Sequence, residues 1–120
     1  MDRARFEALV GEAVAGLPRF FRDRLKNVAI IVEDYPGPET EGRFRRRSIL
    51  GLYHGVPQPA RTVWAQYPLP DQIYIYQKNI EALCRTEEEI REQVRETVIH
   101  ELAHYFGLTD AEIARLQQEE

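Results

Sequence analysis

The sequence predicts an α+β fold, and three observations lead to it. Apolar residues recur at helical spacing near both ends of the chain, and short runs of β-branched and aromatic residues lie between them. The chain-breaking residues, finally, are unevenly placed. All seven prolines precede residue 71 and six of the seven glycines precede residue 56, which leaves Gly107 as the only Gly or Pro of the last fifty residues. That C-terminal stretch should be nearly continuous regular structure with one interruption.

Phe6, Leu9, Val10, Ala13, Val14 and Leu17 repeat at helical spacing, so residues 3–17 read as an amphipathic helix stopped near Gly16 and Pro18. A short second helix is expected over residues 20–26. Residues 27–33, rich in β-branched side chains and too short for a stable helix, form the first strand candidate. Residues 34–48 hold two prolines, two glycines and the basic run Arg43 to Arg47, and read as a flexible loop. Ile49 to Tyr53 is the second strand candidate, closed by Gly55 and Pro57. Residues 71–77 are the third, with Ile73 and Ile75 on one face and Tyr74 and Tyr76 on the other.

Thr86-Glu87-Glu88-Glu89 has the form of a capping box. Ile90, Val94, Val98, Leu102 and Tyr105 follow at helical spacing, which predicts a helix over residues 87–106, about 30 Å long. Thr109-Asp110-Ala111-Glu112 repeats the capping pattern and starts a short last helix through Leu116.

Composition limits the functional classes. A chain of 120 residues, 43% hydrophobic and 30% charged, fits one domain spanning 1–120. Its net charge of −4 argues against a nucleic-acid coat protein. Residues 1–60 carry ten basic and eight acidic side chains, residues 61–120 six and twelve, and the acidic excess falls on the surface of the long helix. The lone Cys84 rules out an internal disulfide framework and a multi-cysteine zinc site. Neither a membrane span nor an apolar leader is seen, so a soluble cytoplasmic protein is expected.

The chemistry lies in His100-Glu101-Leu102-Ala103-His104. Residues four apart share one helix face with Cβ atoms about 5–6 Å apart, so both imidazoles can reach one metal ion. Catalytic zinc takes three protein ligands and a water. Glu101, about 100° round the helix from His100, stays beside the metal and outside its coordination sphere, where a carboxylate can act as general base. Gly107 allows a sharp left-handed turn that folds the chain back after the helix. By elimination Asp110 is the favoured third ligand, with Glu112, Glu119 and His54 ranked behind it. Tyr53, His54 and the strand tyrosines are candidates for meeting an oxyanion, and the residues do not choose among them.

The segment Val98 to Asp110, preceded by Ile49-Leu50-Gly51-Leu52-Tyr53-His54-Gly55-Val56-Pro57, resembles the small bacterial zincin-like metallopeptidases, or minimal zincins, and the resemblance covers nearly the whole chain. It implies a reduced zincin core, with a small mixed sheet of three to four strands against the N-terminal helix, a long active-site helix and a short C-terminal helix. It further implies one Zn2+ held by His100, His104 and Asp110, with Glu101 as base. The methionine turn of metzincins has no counterpart, since the one methionine is Met1.

The leading functional expectation is therefore a zinc-dependent peptidase acting on a peptide or unfolded protein. Its substrate would add along a sheet edge at 71–77 or 49–53, and the protein would be a monomer or weak dimer. A non-catalytic protein in which zinc staples the last helix to the long one is the alternative. A metal-dependent nuclease using Arg43 to Arg47 ranks third.

Overall fold

The computed structural model describes residues 1–37, 49–55 and 69–118. Most of the loop expected at 34–48, including Arg43 to Arg47, lies outside the described residues, as do Pro57 and Glu119. The described elements are α1 (Arg3–Ala15), α2 (Arg19–Arg24), β1 (Val28–Glu33), β2 (Gly51–His54), β3 (Asp71–Tyr76), α3 (Gln77–Glu81), α4 (Glu87–Phe106) and α5 (Asp110–Gln118). This is the expected α+β arrangement, with five helices and three strands among the described residues. None of the described helices is long and apolar enough to cross a membrane.

The sheet has the order β1-β3-β2 and is mixed. β1 runs parallel to β3, pairing Ile30 with Ile73 and Val32 with Ile75. β2 runs antiparallel to β3, pairing Gly51 with Ile75 and Tyr53 with Ile73. This order corrects one expectation: residues 71–77 offer no free edge, because β3 is the central strand with a neighbour on each side. Its burial explains why. Ile73 and Ile75 are fully buried and Tyr76 nearly so, which suits a strand flanked on both sides. Of the two edges proposed for an added peptide, only β2 is an edge.

α1 packs on α4, and α4 packs in turn on β2 and β3. Phe6, Leu9 and Leu17 from the first helical segment, Phe21 from α2, Ile73 and Ile75 from β3, and Val94, Val98 and Leu102 from α4 form one apolar cluster. The helical apolar spacing at both ends of the chain thus has one cause: both long helices turn an apolar stripe to the same core.

Both long helices are capped at their N-termini, α4 by the residue its sequence suggests. Asp2 accepts from the Arg5 amide at 2.7 Å, and Thr86 Oγ1 accepts from the Glu89 amide at 3.1 Å. The return arm of the box differs by one residue from the standard form, since the Glu89 carboxylate accepts from the Arg85 amide at 2.6 Å and not from that of Thr86. The acidic face of α4 is more than a solvated surface: Glu87 pairs with Arg5 at 2.6 Å, and Arg91 reaches across to Glu12 at 2.8 Å. The strand expected over 71–77 ends at Tyr76, and Gln77 opens α3, a helix that the apolar pattern does not show. Gln77 and Asn79 are polar, yet both are buried and satisfied by distant groups. The Gln77 amide donates to the Met1 carbonyl at 2.9 Å and that of Asn79 to the Ile49 carbonyl at 2.7 Å.

Candidate metal centre

The site is built from the last two turns of α4, the turn after it, and β2 beside it. Val98, Ile99, Leu102 and Ala103 are buried and hold this part of the helix on the core. His100 and His104, on the opposite side, are exposed. Their ring centroids lie 5.4 Å apart. The helical spacing thus brings the two imidazoles to one surface, where an ion at about 2.0–2.1 Å from a nitrogen of each could sit between them.

α4 ends as the isolated glycine predicts. Gly107 adopts φ 69°, ψ 32°, the left-handed region. The Leu108 amide then returns to the Ala103 carbonyl at 2.8 Å and that of Gly107 to the His104 carbonyl at 3.2 Å, the paired bonds of a Schellman motif. A complete capping box starts α5: Thr109 Oγ1 accepts from the Glu112 amide at 3.1 Å and Glu112 accepts from the Thr109 amide at 2.9 Å. These bonds to Thr109 hold the Glu112 carboxyl below its usual pKa.

That box separates the candidates for a third ligand. Glu112 is occupied as a cap, and His54 is exposed at the far end of β2. Asp110 stands in the first turn of α5, exposed and without a hydrogen bond or ion pair among the described residues. It does not complete a cluster with the two histidines: among the described residues, no three His, Cys, Asp or Glu side chains converge closely enough to hold a metal ion. The donor set fits zinc in kind, with two imidazoles on one face and an uncommitted carboxylate one turn beyond, while the closed three-ligand geometry is not preformed.

The structure adds contacts that sequence reasoning did not single out. Glu101 is half-buried, and its Oε1 accepts a hydrogen bond from the Tyr53 backbone amide of β2 at 2.9 Å. This bond follows from the strand register. The Tyr76 amide donates to the Leu50 carbonyl at 3.0 Å, so in the antiparallel alternation Gly51 and Tyr53 turn their peptide groups away from β3. Glu101 takes one of the free donors. Tyr53 is fixed further by its ring, stacked on Tyr105 at 4.0 Å, and by its hydroxyl, which donates to Asp71 at 2.7 Å. Burial and the Asp71 hydrogen bond raise the Tyr53 pKa well above that of an ordinary phenol. A hydroxyl bound to Asp71 is a poor candidate for meeting an oxyanion.

Two glycines let β2 run close along α4. A Cβ at Gly51 would lie 2.7 Å from Thr97 Cγ2 and 2.8 Å from the Tyr74 carbonyl oxygen, and one at Gly55 would lie 2.9 Å from the Tyr105 hydroxyl. Thr97 to Tyr105 spans about 12 Å of helix, and Gly51 to Gly55 about 13 Å of strand. Glycines four apart around Tyr53 are therefore a readable signal that the strand meets a helix at both ends. At the Gly51 end a cleft of about 340 Å³ opens between strand and helix, bordered by Leu50 and Gly51 on the strand side and by Glu96, Thr97, His100 and Glu101 on the helix side.

The comparisons agree with this architecture. Residues 25–119 match the zincin-like metallopeptidase family, and the chain belongs to that family. Among solved structures it is similar to a conserved hypothetical protein from T. thermophilus, with 25% sequence identity and a TM-score of 0.55 over 88% of this chain and 94% of the other. No curated protein matches the chain.

Proposed function

We propose that the protein is a zinc-dependent peptidase in which His100, His104 and Asp110 hold one zinc ion and Glu101 is the general base. The observation that carries this reading is the hydrogen bond between the edge-strand amide of Tyr53 and Glu101 Oε1 at 2.9 Å, beside the exposed histidine pair. Family membership supports the metallopeptidase class.

The chain's own residues supply binding, orientation and proton transfer. The free side of β2, whose Gly51 borders the cleft, offers its remaining backbone groups to an extended peptide. Tyr53 anchors one oxygen of Glu101, which leaves Oε2 to accept a proton and return it to the leaving amine. The stacked Tyr53 and Tyr105 rings fix strand and helix at this point, so the carboxylate is held relative to a strand-bound substrate. Zinc, when bound, would polarise the scissile carbonyl and bring the pKa of a water toward about 7.

Metal analysis combined with peptide hydrolysis tests the proposal. Wild type should carry one zinc and cleave peptides, Glu101→Gln should keep zinc and lose hydrolysis, and His104→Ala should lose both. Asp110→Ala should lose most of the zinc, and equal zinc in both proteins would move the third ligand elsewhere. Full turnover by the Glu101 variant would overturn the mechanism.

A second reading has its own support. α5 has no fully buried side chain and rests on the core through half-buried Ile113 and Leu116. A zinc ion joining Asp110 to the histidines would fasten it, as a structural site does. In that case chelation lowers the melting temperature strongly and no peptide is cleaved.

A further inference from the structure

Resting on the peptidase reading above, we infer that the cleft beside the metal-binding face selects a basic side chain, lysine or arginine, next to the scissile bond, with Glu96 as its counter-charge. Glu96 lies one turn before His100 on the same helix face, with Cβ atoms about 5–6 Å apart. The cleft of about 340 Å³ runs from His100 and Glu101 back to it. That volume lies at the lower end of the roughly 300–1,000 Å³ range of small-molecule pockets, ample for one long side chain.

The lining is mixed, with Gln93 among its polar members. Ile49, Leu50 and the methyl of Thr97 supply an apolar wall, and the missing side chain at Gly51 keeps strand and helix close. Glu96 also borders the cleft, exposed and without a hydrogen bond or ion pair among the described residues. Of the glutamates on the first half of α4, Glu87 pairs with Arg5 and Glu89 with the Arg85 amide, and neither they nor Glu88 and Glu92 border the cleft. Among the described residues, no lysine or arginine borders the cleft. With Glu101 held by the Tyr53 amide and His100 assigned to zinc, Glu96 is the charged group of the described lining that is not yet used. An apolar wall beside a carboxylate with no partner among the described residues matches an aliphatic stem that ends in a cation. A glutamate in the same position would meet like charge.

The test uses zinc-loaded protein and N-acetylated, internally quenched peptides that differ at one position: lysine, norleucine or glutamate in an otherwise uncharged sequence. Wild type should cleave the lysine peptide with about fivefold higher kcat/KM than the norleucine peptide, the range of an exposed ion pair. Glu96→Gln should bring that ratio close to one, and Glu96→Lys should turn the preference toward glutamate. Binding of the same peptides to Glu101→Gln, read by fluorescence anisotropy, should show the same order and lose it when Glu96→Gln is added.

Cleavage without a lysine preference, or a preference that survives Glu96→Gln, overturns the inference and leaves the peptidase reading standing. Lysine-selective, Glu96-dependent binding without cleavage of any peptide does the reverse. A preference that follows a free amino terminus in non-acetylated peptides, and not the lysine side chain, overturns the assignment.

Discussion

The two halves of α4 are built to opposite ends. Its first half, from Glu87 to Arg95, is clamped against α1: Ile90 and Val94 are buried, and Arg5–Glu87 and Glu12–Arg91 bridge the helices at the rim. Its second half buries Val98, Ile99, Leu102 and Ala103 on one side and leaves His100, His104, Tyr105 and Phe106 exposed on the other. The first half commits Glu87, Glu89 and Arg91 to neighbours, while the second keeps an imidazole pair and a carboxylate available to solvent. One continuous helix can therefore present a site rigidly, because the side of α4 turned away from the imidazoles is buried in both halves.

Disruption of the clamped half should have the largest effect. Phe6 is fully buried on the inner face of α1, and Phe6→Ala should lower stability by about 3–5 kcal/mol in urea denaturation. Zinc acts on the open half and comes next. At about one hundred times its dissociation constant it should stabilise wild type by roughly 2.7 kcal/mol, and His104→Ala should remove that gain without changing the stability of the metal-free protein by a comparable amount.

Gly51→Val forces a branched side chain onto Thr97 and the Tyr74 carbonyl. Overpacking of this kind costs about 1–3 kcal/mol, and it should weaken catalysis more than zinc binding, since it displaces the strand that holds Glu101. Gly107→Ala strains the left-handed turn by about 1–2 kcal/mol. It should also lower zinc affinity through Asp110, which isothermal titration would read.

The smallest effect belongs to the exposed pair. Arg5→Ala should change stability least, and the change should fade in about 1 M salt. The Arg5 hydrogen bond and charge hold the Glu87 carboxyl below its usual pKa of 4.5. A carboxyl lowered in the folded state contributes above its unfolded pKa, so the contribution is present near neutrality and is lost as pH falls below about 4.5. Acid titration of wild type beside Arg5→Ala should converge in that range. A larger loss here than at Phe6 would break the contrast between the two halves.

Periodicity and punctuation made much of the molecule readable. Apolar spacing placed α1 and α4 to within two residues, because a helix buried on one face must repeat its apolar residues every turn. Gly107 announced the left-handed turn, and both Thr86 and Thr109 announced helix starts, because caps are local chemistry. The burial of Gln77 and Asn79 was unreadable for the opposite reason: their partners, Met1 and Ile49, lie far away in the chain. The edge or centre position of a strand was equally hidden, since β1 pairs with residues more than forty positions away.

By itself the sequence determined the α+β class, the long helix, the imidazole pair upon it and the turn that carries Asp110 past its end, all consequences of short-range spacing. Only the tertiary structure decided that β3 is central, that β2 is the edge facing the site, that Glu112 is a cap, that Glu101 is tied to the Tyr53 amide, and that Glu96 borders the cleft beside the histidines. These depend on which distant segments meet. Local pattern limits how each segment folds, whereas packing of the helices on one sheet face selects their neighbours.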